Sequence, residues 1–112
     1  MRIPWRPAQS AEPEWMDLPG HSAAVIADNL RDLERVNRLL GGVRLTLRPL
    51  ARLLSGRPVQ EPVRILDVAS GGADIARAIA GWARDQGRAV AIVASDISYD
   101  FLLVARDRSP HL

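Results

Sequence analysis

The stretch Ile65-Leu-Asp-Val-Ala-Ser-Gly-Gly-Ala-Asp74 decides the fold of this 112-residue chain. Its first residues are apolar apart from one acid, Asp67, and are typical of a buried strand. A turn of small residues follows, and Asp74 begins a segment with the apolar spacing of a helix. A strand that leads through a small-residue turn into a helix is the first half of a βαβ unit.

The residues after this stretch complete the unit. The strand covers 63–68, and the helix runs over about 74–86. Residues 89–94 predict a second strand, which is apolar throughout, as in a parallel sheet covered on both faces. Ser98 then has the position of an N-cap for a last helix. We therefore expect an α/β fold in which residues 61–112 form a partial Rossmann-like domain.

The part of the chain before the unit has a different character. Residues 1–20 contain four prolines, and we interpret them as a flexible proline-rich arm. Residues 21–60 are predicted to form a helical extension. Its first helix covers about 22–40, and its second covers about 43–55 and either begins just before Pro49 or is kinked there. The apolar stripe of the first helix consists of Ile26, Leu30, Leu33, Val36 or Asn37, and Leu40.

The composition narrows the class of protein. The chain has no cysteine, which excludes disulfides and thiolate metal sites, and its two histidines lie far apart. It has no run of about 18 apolar residues, so we expect no transmembrane helix and no membrane partner. The N-terminal residues also lack the apolar core of a signal peptide. We expect a cytoplasmic protein without a metal.

All 15 basic residues are arginine, and eight of them lie within residues 31–64, against three acids. One interpretation is a surface for nucleic acid or an anionic substrate. The other is a set of solvated helical faces, and we favour it. Aromatic residues are absent from this region, which counts against binding of single-stranded nucleic acid.

Three acids lie around the turn of the βαβ unit. Asp67 and Asp74 flank it, and Asp96 ends the second strand. The carboxyl ends of parallel strands meet at one edge, where ligands bind, and an acid after the second strand can accept ribose hydroxyls. A pyrophosphate at the turn would be repelled by these carboxylates. Two like unit charges about 4 Å apart repel each other by about 4 kcal/mol at an intermediate dielectric constant. S-adenosylmethionine carries a sulfonium and an ammonium group, so the acids favour this cofactor.

The same residues carry a resemblance to a known family. The stretch 65–74 resembles the first motif of class I S-adenosylmethionine-dependent methyltransferases, an apolar strand with an acid before Gly-x-Gly-x-Gly. Val93-Ala-Ser-Asp-Ile-Ser98 resembles the family's second strand with its ribose-binding acid. The helical segment 29–42 is similar to the extension of a bacterial subgroup. The resemblance covers roughly residues 14–108 and implies methyl transfer in the complete protein.

The resemblance also implies which residues contact the cofactor. Asp67 and the turn would hold the methionine end, Asp96 would hold the ribose, and Ile97 would flank the adenine. The turn residues are Ala69, Ser70, Gly71, Gly72 and Ala73. Asp74, next in the chain, has either a ligand role or the helix-dipole role of an N-terminal acid. The N-terminal helices would cover the site, and neither a catalytic base nor the methyl acceptor can be named.

Two departures from the family pattern stand out. Ala69 and Ala73 occupy the first and third glycine positions, and alanine costs about 1 kcal/mol where φ is positive. The family sheet has seven strands, whereas this chain supplies two, so we expect a truncated domain. Two strands leave two unpaired edges, which predicts self-association and weak cofactor binding by the isolated chain.

Two alternatives stay open. Residues 70–80 superficially resemble the nucleotide turn of short-chain dehydrogenases, although Asp74 and Ala76 stand where later glycines belong. The other alternative is a non-catalytic truncated product, or an arginine-rich helical module for a partner.

Overall fold

The computed structural model describes residues 11–110, which form a mixed α/β structure with four α-helices and a two-stranded parallel sheet. Residues 1–10 of the predicted arm lie outside the described residues. The elements, in chain order, are a short 3₁₀ turn (Trp15–Asp17), α1 (Ala23–Leu39), α2 (Gly42–Leu54), β1 (Val63–Val68), α3 (Asp74–Asp85), β2 (Val90–Ser95) and α4 (Tyr99–Arg108).

Two serine caps fix where helices begin. The Ser22 side chain accepts a hydrogen bond from the Val25 amide at 3.3 Å and opens α1. The Ser98 side chain accepts one from the Phe101 amide at 3.3 Å and opens α4, so the predicted cap is confirmed. In each case the side chain satisfies an amide that has no partner inside the helix.

Helix α2 lies within one residue of the predicted segment 43–55, but it does not start just before Pro49. It begins at Gly42 and continues through Pro49 to Leu54. Proline removes one amide donor, that of the bond to Leu45, but the remaining bonds and the apolar residues on either side hold the helix. The side of α2 that contains Leu54 packs against α1 and α3.

The two strands pair in parallel over their whole length, from Val63 opposite Val90 to Val68 opposite Ser95. Ile92 and Ala94 of β2 pack against a buried cluster of three alanines, two from the start of α3 and one from α4. These are Ala73, Ala76 and Ala105. Because residues 92 and 94 point to the same face of the sheet, α3 and α4 both cover that face.

The opposite face of the sheet is open. Leu66, Val68 and Val93 point to it and are 65%, 70% and 61% exposed. The prediction that the strands are covered on both faces is therefore wrong for the described residues. Apolar residues in a strand indicate only that both of its faces can be buried. The helices of the described residues lie on the other face of the sheet or beside it, so this face has no cover.

The apolar stripe of α1 is buried only in its first half. Ile26 and Leu30 are buried, whereas Leu33, Val36 and Leu40 are exposed. The turn after β1 lies against Leu30, and α4 packs on α1, so these partners reach only part of the stripe. Among residues 11–110, no helix is long and apolar enough to cross a membrane.

Candidate functional site

The turn between β1 and α3 has an alternating backbone. Ala69, Gly71 and Ala73 adopt positive φ values of 59°, 52° and 56°, in the left-handed region. Glycine enters this region freely, but an L-alanine pays about 1 kcal/mol because its Cβ approaches the following carbonyl. Alanine was expected to be costly at positions 69 and 73 if φ is positive there. Both φ values are positive, so the turn contains backbone strain at each end.

Three amides of the turn are already bonded inside the protein. The Ser70 amide donates to the Ser95 carbonyl at 2.9 Å, and the Ala73 amide donates to the Ser70 carbonyl at 2.8 Å. The Gly71 amide donates to Asp96 Oδ2 at 2.8 Å. Amides that already have good partners gain little from a ligand. The turn is therefore bound to the end of β2 rather than left as an open cradle.

Asp96 joins the ends of the two strands. Its Oδ2 accepts from the Gly71 amide, and its Oδ1 accepts from the Ser98 amide at 2.9 Å. The structure thus brings this predicted ribose acceptor to the turn, as the sequence indicated. Each carboxylate oxygen has two acceptor sites, so one site on each oxygen is left after these bonds.

Asp67 and Asp74 are close enough to affect each other. Burial raises the pKa of Asp67 above its ordinary value, and the charge of Asp74 raises it further. Asp67 Oδ2 is buried and has no hydrogen-bond partner among the described residues. Asp74 differs, because the Asn37 side-chain amide donates to its Oδ2 at 2.9 Å. The two acids form an incompletely neutralised pair beside the turn, an environment that favours a cation or a donor.

Asn37 was not assigned to the site by its sequence. It appeared only as an alternative member of the apolar stripe of α1, where it is half-buried. A polar residue within an apolar stripe is the signal that could have revealed it, since a half-buried amide needs a partner. That partner is Asp74, 37 positions away along the chain.

Helix α1 lies directly over the glycines of the turn. A Cβ added to Gly72 would be 3.4 Å from Leu30 Cβ, and one added to Gly71 would be 3.7 Å from Leu30 Cδ2. Leu30 is itself 3% exposed. The expectation that an N-terminal helix covers this region agrees with these contacts. The space beside the two glycines accommodates a helix, so this side of the turn is closed to a ligand.

A half-buried ion-pair cluster holds this cover in place. Glu34 of α1 pairs with Arg108 of α4 and, at 3.3 Å, with Arg77 of α3. Burial acts to raise the pKa of Glu34, but the Arg108 hydrogen bond and the charges of both arginines outweigh it and lower the pKa. Arg77 also donates to the Gly72 carbonyl at 2.6 Å and to Ser109 Oγ at 3.0 Å. This cluster could not be predicted from the sequence, because its members are distant in the chain.

Ile97 marks the outer limit of the candidate site. It follows Asp96 and is 99% exposed, so nothing in the described chain packs against it. A cleft of about 450 Å³ lies beside it. Its lining residues are Met16, Leu18, Pro19, Gly20, His21, Ile26, Ile97, Ser98 and Asp100. Because the cleft lies beside the exposed Ile97 side chain and the carboxylate of Asp100, it can accept a flat ring with a polar edge.

The other predicted site residues take distinct positions. Ala69 is exposed at the start of the turn. Ser70 is buried, and its Oγ has no hydrogen-bond partner among the described residues. Residues 11–110 contain no group of three histidine, cysteine, aspartate or glutamate side chains that could hold a metal. Comparison of the chain with protein-family models, with curated proteins and with solved structures finds no match.

Proposed function

We propose that the β1–α3–β2 unit is a Rossmann-like unit that binds S-adenosylmethionine, as the cofactor-binding part of a methyltransferase. The observation that carries this proposal is Asp67, whose buried Oδ2 has no hydrogen-bond partner within residues 11–110 and lies near a second carboxylate. Such an atom is costly unless a donor or a cation meets it. The ammonium group of the cofactor would supply both, whereas a phosphate would add a third negative charge.

The residues around the turn support the same ligand. Asp67 would face the ammonium group, Asp96 would use its remaining acceptor sites for ribose hydroxyls, and Ile97 would lie against the adenine. When bound, the cofactor supplies a methyl group activated by the adjacent sulfonium. The protein contributes binding and orientation in this proposal. The methyl acceptor and the residues that contact it are not part of the proposal.

The decisive experiment is calorimetric titration of S-adenosylmethionine into the parent chain, Asp67→Asn and Asp85→Asn. Asp85 is an exposed acid at the end of α3, so its variant is a control with the same change of charge. We expect Asp67→Asn to weaken binding about tenfold, because an ionic hydrogen bond contributes roughly 1.5–3 kcal/mol. Asp85→Asn should bind like the parent.

The same titration separates the proposal from its alternatives. A nicotinamide dinucleotide that binds while S-adenosylmethionine does not would favour a short-chain dehydrogenase-like site. Binding of neither ligand to the folded chain would favour a non-catalytic product. Asp96→Ala is a second variant that should weaken binding, and circular dichroism must accompany it because Asp96 also bonds two amides of the protein.

We also propose that copies of the chain associate through the sheet and that the protein is cytoplasmic. Unpaired strand edges and the exposed Leu66, Val68 and Val93 support association, since such surfaces pair with other chains. The absence of cysteine is compatible with a reducing compartment. Sedimentation velocity over a range of concentrations tests association, and Val93→Lys should shift the chain toward monomer. A monomer at all concentrations would contradict it.

A further inference from the structure

The charge of the chain is unevenly distributed around α2. Between Glu34 and Glu61 there is no acid, and there are six arginines. Three of them, Arg44, Arg48 and Arg52, lie in α2 and are exposed. Residues four apart in a helix lie almost above one another, so these three form one row along the helix.

A second row, of apolar residues, lies beside the first. Leu45, Pro49 and Leu53 each follow an arginine by one residue, so they form a row about 100° further round the helix. Leu45 is 74% exposed and Leu53 is 76% exposed. We call the six residues of the two rows the α2 outer face. All six residues are exposed, so none of them is shielded in a groove.

The arginines of the α2 outer face differ from those of α1. Arg31 pairs with Asp28, and Arg35 pairs with Asp32 at 3.1 Å. Such pairs are the ordinary solvated face of a helix. Within residues 11–110, the three arginines of the outer face have no ion-pair partner. Their charge is therefore uncompensated, and solvation of paired charges does not account for them.

The outer face is also dispensable for packing. Leu54 is buried and Leu47 and Leu50 are half-buried, so the opposite side of α2 contacts the rest of the protein. Two leucines exposed by about three quarters cost solubility without stabilising the fold. A row of cations beside a row of leucines is the pattern of a helix that lies in a membrane interface.

We propose that the α2 outer face binds the surface of a bilayer that contains anionic lipids. This proposal replaces the expectation of no membrane partner, because that expectation rested only on the lack of a segment long enough to span a bilayer. The arginines would meet headgroup phosphates and carboxylates, and Leu45 and Leu53 would enter the boundary with the acyl chains. A nucleic acid would satisfy the arginines but leave the leucines in water. A peptide partner would bury the leucines best in a groove, whereas the six residues of the α2 outer face are all exposed. A bilayer accepts an exposed amphipathic surface without any groove.

The first test is co-sedimentation of the full chain with vesicles of phosphatidylcholine alone or with roughly one third phosphatidylserine. We expect binding to the anionic vesicles that weakens as salt is raised. The triple variant R44Q/R48Q/R52Q should bind about a hundredfold more weakly, since each arginine near an anionic surface contributes about a factor of five. The double variant L45S/L53S should lose about tenfold or more of the affinity at unchanged charge.

The matched control is R64Q/R84Q/R106Q, which removes three exposed arginines from other elements. It changes the net charge by the same amount and should retain most of the binding. Equal loss in this variant would mean that net charge alone attracts the chain, and the proposal would then be wrong. Binding to duplex DNA at the same salt concentration that equals or exceeds binding to the anionic vesicles would favour a nucleic acid instead. A helical acidic peptide that competes with the vesicles and binds more tightly would favour a protein partner.

The second test locates the contact. Because the chain has no cysteine, Leu53→Cys gives a single labelling position for an environment-sensitive fluorophore. We expect its emission to shift to the blue with anionic vesicles. The same label at Leu66→Cys, on the open sheet face, should not shift. A shift at position 66 without one at position 53 would assign the membrane contact to the sheet and overturn the proposal.

Discussion

The two faces of the sheet differ although they share the same two strands. The covered face contains Ile92 and Ala94, packed on α3 and α4, together with the acid Asp67. The open face contains Leu66 and Val93, which are exposed. At positions 66 and 67 of β1 the usual rule is thus reversed, because an acid points to the covered side and a leucine to solvent. The difference underlies the two proposals made above, a ligand at Asp67 and association through the open face.

The largest expected effect compares neighbours on opposite faces. Ile92→Ala removes side-chain volume packed against the alanine cluster and should lower the free energy of unfolding by about 2 kcal/mol. At concentrations low enough for the chain to be monomeric, Val93→Ala, one residue later, should change it by less than about 0.5 kcal/mol. Urea denaturation of both variants measures the difference. Equal losses would show that the open face is buried in solution, as it would be in a self-associated form.

A smaller effect concerns two strained alanines that differ in burial. Ala69→Gly should raise the free energy of unfolding by about 0.5–1 kcal/mol, because glycine relieves the positive φ at an exposed position. Ala73→Gly should be near neutral, because the methyl group lost from the core contributes about 0.8 kcal/mol. Thermal and urea unfolding measure both.

Ala80→Gly is the control for these two variants. Ala80 lies inside α3, where φ is helical, so glycine there should cost about 1 kcal/mol. Stabilisation by glycine at position 80 as well as at position 69 would mean that strain relief is not the cause.

The smallest effect depends on pH and concerns the acid on the covered face. The pKa of Asp67 is raised in the folded state, so the folded state binds more protons than the unfolded state. Its contribution to stability is greatest below its ordinary pKa and is lost as the pH rises through the folded-state pKa. Asp67→Asn should therefore be more stable than the parent at about pH 7, by about 1 kcal/mol or less because solvent screens a half-buried group.

The higher stability of Asp67→Asn relative to the parent should disappear at about pH 3, where the aspartate is protonated in both the folded and the unfolded state. Unfolding curves across the pH range measure this. Asp85→Asn, which changes an exposed acid, should show no such trend. An advantage of Asp67→Asn that persists at low pH would point to a packing effect rather than to charge. The expected combination of higher stability with weaker cofactor binding would separate a ligand contact from a structural one.

Local signals predicted the elements well. β1 was predicted at 63–68, where it is found, and α3 and β2 each end within one residue of their predicted limits. Short-range rules suffice there, because apolar runs, caps and glycines act over a few residues. Pro49 misled the same rules, since a proline that usually opens a helix lies within α2. The approach of Asp96 to the turn was also predictable, because parallel strands bring their carboxyl ends together.

The contacts that cover the site were not predictable in the same way. Asn37 and Leu30 belong to α1, and both meet the turn after β1 from a distant part of the chain. Glu34 meets Arg77 and Arg108 by the same packing. Which face of a helix meets which loop depends on how several elements pack together, and helical spacing reveals only that one face is apolar.

The sequence by itself determined the order of the elements, the small-residue turn and the three acids around it, because these follow from residue types and spacing within short segments. Only the tertiary structure decided that α3 and α4 cover the same face of the sheet and that amides of the turn are bonded to β2 and Asp96. It also decided that α2 presents exposed leucines beside arginines that have no ion-pair partner within residues 11–110. Such features depend on long-range packing, in which many weak contacts act together and no single segment contains the information.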